Sequence, residues 1–216
     1  TKIIKRRIKS ISSTKKITKA MEMISAVKMR RAVANVLSSR SYASLAWGLL
    51  LAVAAKTEVA VHPLLLKREV RRVGVILITS NRGLAGGFSS RLLQEVHTYL
   101  TRLTAGAPVT AEVILAGRRG KKIFKRFGHT VAAEFEKIDL TTKIEEILPL
   151  ARLATREYIA GRYDMIVLAY MDFVSAITQV PRLKQILPLD KTPDPWLGAT
   201  GTSIAPKNLP ENLPAA

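Results

Sequence analysis

The sequence predicts an α/β protein in which one element stands apart from the sheet: a long N-terminal helix that projects from a Rossmann-like domain with a mainly parallel sheet. Three observations lead there. No proline precedes Pro63 and no glycine precedes Gly48, so nothing forces a break across the opening stretch. Within it, Ile4, Ile8, Ile11, Ile17, Ala20, Met21, Ile24 and Val27 recur at the three- and four-residue spacing of one helix face. From Arg72 onward, short β-branched runs alternate with helical segments, the pattern of parallel strands covered by helices.

Residues 1–60 are expected to form the helix, 70–188 the α/β domain and 189–216 a proline-rich irregular tail. About 55 helical residues rising ~1.5 Å each give a rod of about 80 Å, longer than a domain of this size is wide. Further along the rod the stripe turns small, at Ala32, Ala34, Ser38, Ser41, Ala43 and Ala46, which suits close approach of a second helix. Val73–Thr79 is a continuous β-branched run fit for a strand buried on both faces. A glycine-rich loop follows, then a helix around Phe88–Leu103, a strand at Val109–Ala116 and a short basic helix at Arg118–Phe127. Thr130–Phe135 reads as an edge strand. Thr141–Ala160 reads as a helix capped by Thr141 or Thr142, with Glu145 and Glu146 in its first turn and a kink at Pro149. Tyr163–Tyr170 is a further strand, and Val174–Leu187 fits either class. Pro188, Pro193, Pro195, Pro206, Pro210 and Pro214 remove any apolar period from the end of the chain.

The net charge is +19, which calls for a polyanionic partner: nucleic acid, anionic lipid or an acidic protein surface. Residues 1–40 hold twelve lysines and arginines against one acid, Glu22, so the rod has almost no internal counter-charge. The absence of cysteine excludes disulfides, thiolate metal sites and cysteine nucleophiles. Three histidines, His62, His97 and His129, do not make a histidine-rich metal site. The apolar stretch Leu45–Ala55 is shorter than the ~20 residues of a membrane span, so no direct membrane insertion is expected.

The loop Ser80–Ser89 lies between a strand and a helix, where phosphate-binding loops sit. Its glycines match neither the P-loop nor the dinucleotide spacing, and a structural turn presenting Arg82 is the favoured reading. Asp164 and Asp172 flank a strand without a nearby histidine or serine constellation, so no catalytic group is assigned. No cofactor is expected. Trp47, Phe124, Phe127, Tyr158 and Tyr170 read as core residues rather than as a base-stacking platform.

Three segments in order resemble one family. Ile8-Lys9-Ser10 with Thr14-Lys15-Lys16-Ile17-Thr18-Lys19-Ala20-Met21-Glu22-Met23-Ile24-Ser25-Ala26-Val27-Lys28-Met29-Arg30-Arg31-Ala32 is similar to the N-terminal helix signature of F-type ATP synthase gamma subunits. Thr79–Ser89 resembles that family's glycine loop, with Asn81, Ala85 and Ser89 as substitutions. Tyr170-Met171-Asp172-Phe173 through Gln179-Val180-Pro181 and Pro188 resembles its last-strand segment. The likeness covers roughly residues 1–188.

The resemblance implies a non-catalytic central-stalk subunit that couples proton translocation through a membrane rotor to ATP synthesis or hydrolysis. The rod would be half of an antiparallel coiled coil inside an alpha–beta hexamer. The α/β domain would stand at the foot, against the epsilon subunit and the membrane c-ring. It implies Lys15, Lys16, Lys19, Met21, Lys28, Arg30, Arg31 and Arg82 as contacts to the hexamer. It also implies a hetero-oligomeric peripheral complex on the cytoplasmic face of a bacterial plasma membrane, or an organellar equivalent, that binds no nucleic acid. The family's closing long helix is unmatched in 189–216; a fragment, a helix supplied by a separate chain and an atypical form all fit. The lack of cysteine excludes the thiol switch of the chloroplast type. Two other classes stay open on the residues alone: a basic nucleic-acid-binding α/β protein, and a nucleotide-binding α/β protein using Gly83–Gly87.

Overall fold

A computed structural model describes residues 2–56, 62–105, 108–135 and 144–189. The chain opens with α1 (Lys2–Lys56), a single helix of 55 residues. After a 3₁₀ turn at Pro63–Leu65 come β1 (Arg72–Ile78), α2 (Phe88–Ala105), β2 (Thr110–Ala116), α3 (Arg118–Arg126) and β3 (Thr130–Phe135). A second 3₁₀ turn at Ile144–Glu146 leads to α4 (Leu148–Ile159), β4 (Met165–Phe173) and β5 (Gln179–Leu187).

The strands form one sheet in the order β3-β2-β1-β4-β5. β1 pairs in parallel with β2 and β4, β2 pairs in parallel with β3, and β5 closes the other edge antiparallel to β4. The central strand carries the continuous apolar run Val73–Ile78 because it is covered on both faces. Val73, Val75 and Leu77 join Leu92, Val96, Leu100 and Phe124 in a core on the α2 and α3 side. Ile76 and Ile166 meet Ala154, Tyr158 and Tyr163 in a second core on the α4 side.

The helix read over Thr141–Ala160 is corrected. Ile144–Glu146 is a separate 3₁₀ turn, and α4 begins at Leu148 with Pro149 in its first turn. Proline lacks an N–H and is tolerated where that N–H would be unpaired, so Pro149 starts a helix instead of kinking one. Ile147 holds the N-cap position without a side-chain bond; Thr141 and Thr142 lie outside the described residues. The strand read from Tyr163 begins at Met165, since Asp164 is occupied below. The ambiguous Val174–Leu187 resolves into a turn and β5, paired with β4 from Phe173↔Gln179 to Ile166↔Leu187. The tail from residue 190 lies outside the described residues.

Along α1, burial divides the helix in two. Residues 2–31 are all exposed, including Ile4, Ile8, Ile11 and Ile24. At ~1.5 Å per residue this clear portion is about 45 Å long. Beyond it, half-buried positions recur at Val33, Val36, Arg40, Ala43, Trp47 and Leu50, ending at buried Ala54. That spacing is a heptad face, and it meets β4 and β5 at Arg40 and Trp47. Of the small stripe, Ala34, Ser38, Ser41 and Ala46 are exposed; only Ala32 and Ala43 are half-buried. By length and composition α1 also contains a window apolar enough to cross a membrane, because the uninterrupted helix extends the Leu45–Ala55 run on its N-terminal side.

Two consequences for stability follow. Gly117, directly after β2, has φ +112°, and a Cβ there would collide with the backbone carbonyl of Thr79. Gly117→Ala is therefore expected to lower unfolding stability by about 2–4 kcal/mol in urea titrations. His129 Nε2 lies 2.9 Å from His97 Nδ1, whose ring stacks on Phe127 at 4.3 Å. Burial, and secondarily the neighbouring His97, hold His129 below the ordinary imidazole value of 6.5. The unfolded chain then binds more protons than the folded one, so stability is lost as pH falls below 6.5. Chemical denaturation between pH 7.5 and pH 5.5 should show this loss, reduced in His129→Gln.

Candidate functional site

The exposed rod carries Lys15, Lys16, Lys19, Lys28, Arg30 and Arg31, with Met21 among them, over a rise of about 24 Å. At ~100° per residue, Lys15, Lys19, Arg30, Lys16 and Arg31 sweep nearly half the helix circumference, while Met21 and Lys28 occupy the other side. Glu22, the single acid before Glu58, is taken by Lys19 at 3.1 Å. Lys15, Lys16, Lys28, Arg30 and Arg31 make no ion pair among the described residues. An exposed pair such as Lys19–Glu22 contributes well under about 1 kcal/mol, so it does not offset the repulsion among these cations. This surface carries exposed positive charge with little counter-charge of its own.

Arg82 stands on the turn after β1, exposed. The turn is organised by its own side chains. Ser80 Oγ lies 2.8 Å from Ser89 Oγ in the first turn of α2, and the side-chain Oδ1 of Asn81 accepts the Arg118 N–H at 3.2 Å. Arg119 N–H donates to the Ser80 carbonyl at 3.1 Å. Thr79 Oγ1 donates to the Gly117 carbonyl at 3.1 Å and accepts from Gly120 N–H at 3.2 Å. Leu84 takes φ 62° and is 94 % exposed. The side chains of Thr79, Ser80, Asn81 and Ser89 are spent on holding the turn and on stitching two strand-to-helix turns together. The structural reading of the loop is the one the geometry favours.

That stitching brings Arg82 beside the start of α3, and Arg119 Nη2 lies over Gly83. Sequence reasoning marked α3 as basic but did not join Arg118 and Arg119 to Arg82, because only the pairing of β1 with β2 places the two turns side by side. The structure does not bring Arg82 to the rod cations: residues 15–31 lie on the clear portion of α1 and Arg82 on the sheet. They are two separate cationic surfaces.

The remaining candidates are structural. Asp164 Oδ2 accepts the N–H groups of Arg71 at 3.1 Å and Arg72 at 2.9 Å, closing the entry to β1. Asp172 pairs with Arg182 at 3.3 Å and Arg40 at 3.6 Å. Phe124 and Tyr158 are fully buried. Burial raises the Tyr158 hydroxyl, which donates to the Leu66 carbonyl at 2.7 Å. Trp47 and Tyr170 are half-buried. Among the described residues no three metal-ligating side chains converge.

Comparison with known proteins gives a consistent result. A family model described as ATP synthase matches residues 1–212. An ATP synthase gamma chain of Anaeromyxobacter sp. (strain Fw109-5) is 38% identical over 200 residues, covering 91% of this chain and 69% of that protein. The ATP synthase gamma chain of Anaeromyxobacter dehalogenans (strain 2CP-C) is 41% identical over 192 residues, covering 87% of this chain and 65% of that protein. That of Legionella pneumophila (strain Corby) is 33% identical over 192 residues, with 88% and 66% covered. The chain thus spans about two thirds of the length of these relatives. The central stalk and c-ring structure of the Tetrahymena thermophila mitochondrial ATP synthase shares the fold, with a TM-score of 0.63 at 23% identity. It covers 80% of this chain and 72% of that chain.

If the turn at Ser80–Ser89 is structural, millimolar ATP or NAD leaves the thermal midpoint unchanged. A nucleotide site occupied at ~100 times its dissociation constant would add about 2.7 kcal/mol and shift the midpoint by several degrees.

Proposed function

Because the chain belongs to the ATP synthase gamma family, we propose that it serves as the rotating central stalk of an F-type ATP synthase, coupling proton translocation through a membrane rotor to ATP synthesis or hydrolysis in an alpha–beta hexamer. The observation that supports this most is the exposed cationic rod, about 45 Å of helix with one acid and no cover. In this reading a ring of acidic loops in the hexamer supplies the missing counter-charge. Lys15, Lys16, Lys19, Met21, Lys28, Arg30 and Arg31 face that ring from within, and Arg82 meets it from the turn after β1. Neither surface is symmetric about the rod axis. Each beta subunit therefore meets a different set of contacts as the rod turns, and its open and closed states are biased in sequence.

The chain itself performs no chemistry in this role; the bonds are made and broken in the hexamer. The exposed row Ile4, Ile8, Ile11 and Ile24 is covered by a second helix of an antiparallel coiled coil. The α/β body stands at the foot, against the epsilon subunit and the c-ring. The assembly is a hetero-oligomer at the surface of a membrane, on the cytoplasmic side in a bacterium or its organellar equivalent. The nucleic-acid alternative finds no support: Phe124 and Tyr158 are core residues, and no exposed aromatic platform accompanies the basic residues among those described.

Purified alpha and beta subunits are expected to bind the chain at low ionic strength, and binding weakens as salt shortens the ~10 Å screening length of 0.1 M. Arg31→Glu and Arg82→Glu should each weaken association roughly tenfold, about 1.4 kcal/mol, in titration calorimetry. Failure of the unaltered chain to associate overturns the proposal.

A further inference from the structure

The rod touches the body through two kinds of contact with different mechanical content. Apart from Arg40 its heptad face is apolar, and apolar contact is non-directional, so it resists separation more than rotation. At Arg40 the contact is directional. Arg40 Nη2 donates to the Phe173 carbonyl, 133 residues away in the chain, and lies 3.6 Å from Asp172 Oδ1. Arg182 Nε approaches the other carboxylate oxygen, Oδ2, at 3.3 Å. Arg182 stands opposite Tyr170, and Asp172 opposite Val180, so carboxylate and guanidinium are diagonal neighbours across β4 and β5. Side-chain exposures of 15 % for Arg40, 21 % for Asp172 and 9 % for Arg182 shield the cluster from salt. Two helical turns on, about 10 Å along the axis, Lys184 Nζ sits 4.0 Å from the Trp47 ring centroid. Two directional contacts separated along one axis define both its tilt and its rotational setting.

We propose that Arg40, Asp172 and Arg182 form a torsional lock: positioning residues that fix the rotational setting of the rod on the α/β body, so that a twist applied to the body reaches the rod's free end. Its role in rotation rests on the stalk reading; the lock itself rests on the contact geometry. The cluster is asymmetric in charge, with one carboxylate between two guanidiniums. Arg40→Gln leaves Asp172 and Arg182 paired. Asp172→Asn removes the carboxylate that both guanidiniums approach, and loosens the joint more.

The chain contains no cysteine, so Ser13→Cys on the rod and Gln94→Cys on α2, both exposed, accept spin labels at defined positions. Double electron–electron resonance on the full chain should give a narrow distance distribution. It should be wider by roughly twofold or more in Arg40→Gln and wider still in Asp172→Asn. Circular dichroism establishes that each variant is folded. Unchanged widths in a folded Arg40→Gln overturn the lock. In the complex with alpha and beta subunits, Arg40→Gln should keep association and ATP hydrolysis, because Arg40 lies outside the proposed hexamer contacts. With the complex assembled on its membrane rotor in sealed vesicles, ATP-driven proton pumping should fall about fivefold; full pumping overturns the lock. If the unaltered chain does not assemble with alpha and beta, the stalk reading fails, and the label distances still decide on the lock.

Discussion

A 55-residue helix held by one half only is the constraint on which the rest of this structure depends. From residue 32 onward α1 has a heptad face of half-buried positions, and it meets β4 at Arg40 and β5 at Trp47. Before that point it has nothing to lean on, and its cations repel one another along ~45 Å of exposed helix. Such a rod persists because nothing in its sequence interrupts the backbone ladder and because its far half is fixed. It is stiff, charged and laterally open, which suits insertion into a surrounding partner better than packing within its own chain.

The sheet serves that rod in a specific way. Four parallel strands, the central β1 buried on both faces, form the body, while the single antiparallel pair at the edge carries the docking groups. An antiparallel edge is suited to this, since residues two apart on neighbouring strands reach diagonally across it. Asp172 and Arg182 are so placed, and Lys184 continues the same row toward Trp47. The carboxyl ends of the central strands β1 and β2, where they run out into their turns, hold Arg82 and the start of α3. The two cationic surfaces are thus supported by different parts of one rigid frame.

Much of this was legible in the residues, and particular elements show why. The length of α1 followed from missing breakers, a local property. The edge strand Thr130–Phe135 was read at its observed bounds because it alternates, as a strand covered on one face does. The segment around Pro149 was misread because a proline is compatible with a kink or a start, and only the residues before it decide which. Val174–Leu187 was ambiguous because an edge strand paired on one side has a half-buried, mixed pattern. The small stripe at Ala32–Ala46 marked a face of the rod, but not the face the sheet takes.

By itself the sequence determined the elements and their charge: an unbroken cationic helix, a mainly parallel α/β body, and a turn presenting Arg82. These depend on periodicity, breakers and charge, which act over a few residues. Only the tertiary structure decided which side of the rod meets the sheet, that Arg40 reaches Asp172, and that the turn of Arg82 lies beside Arg118 and Arg119. Those are contacts between groups some tens to more than a hundred residues apart, and no local pattern encodes a distance across a fold.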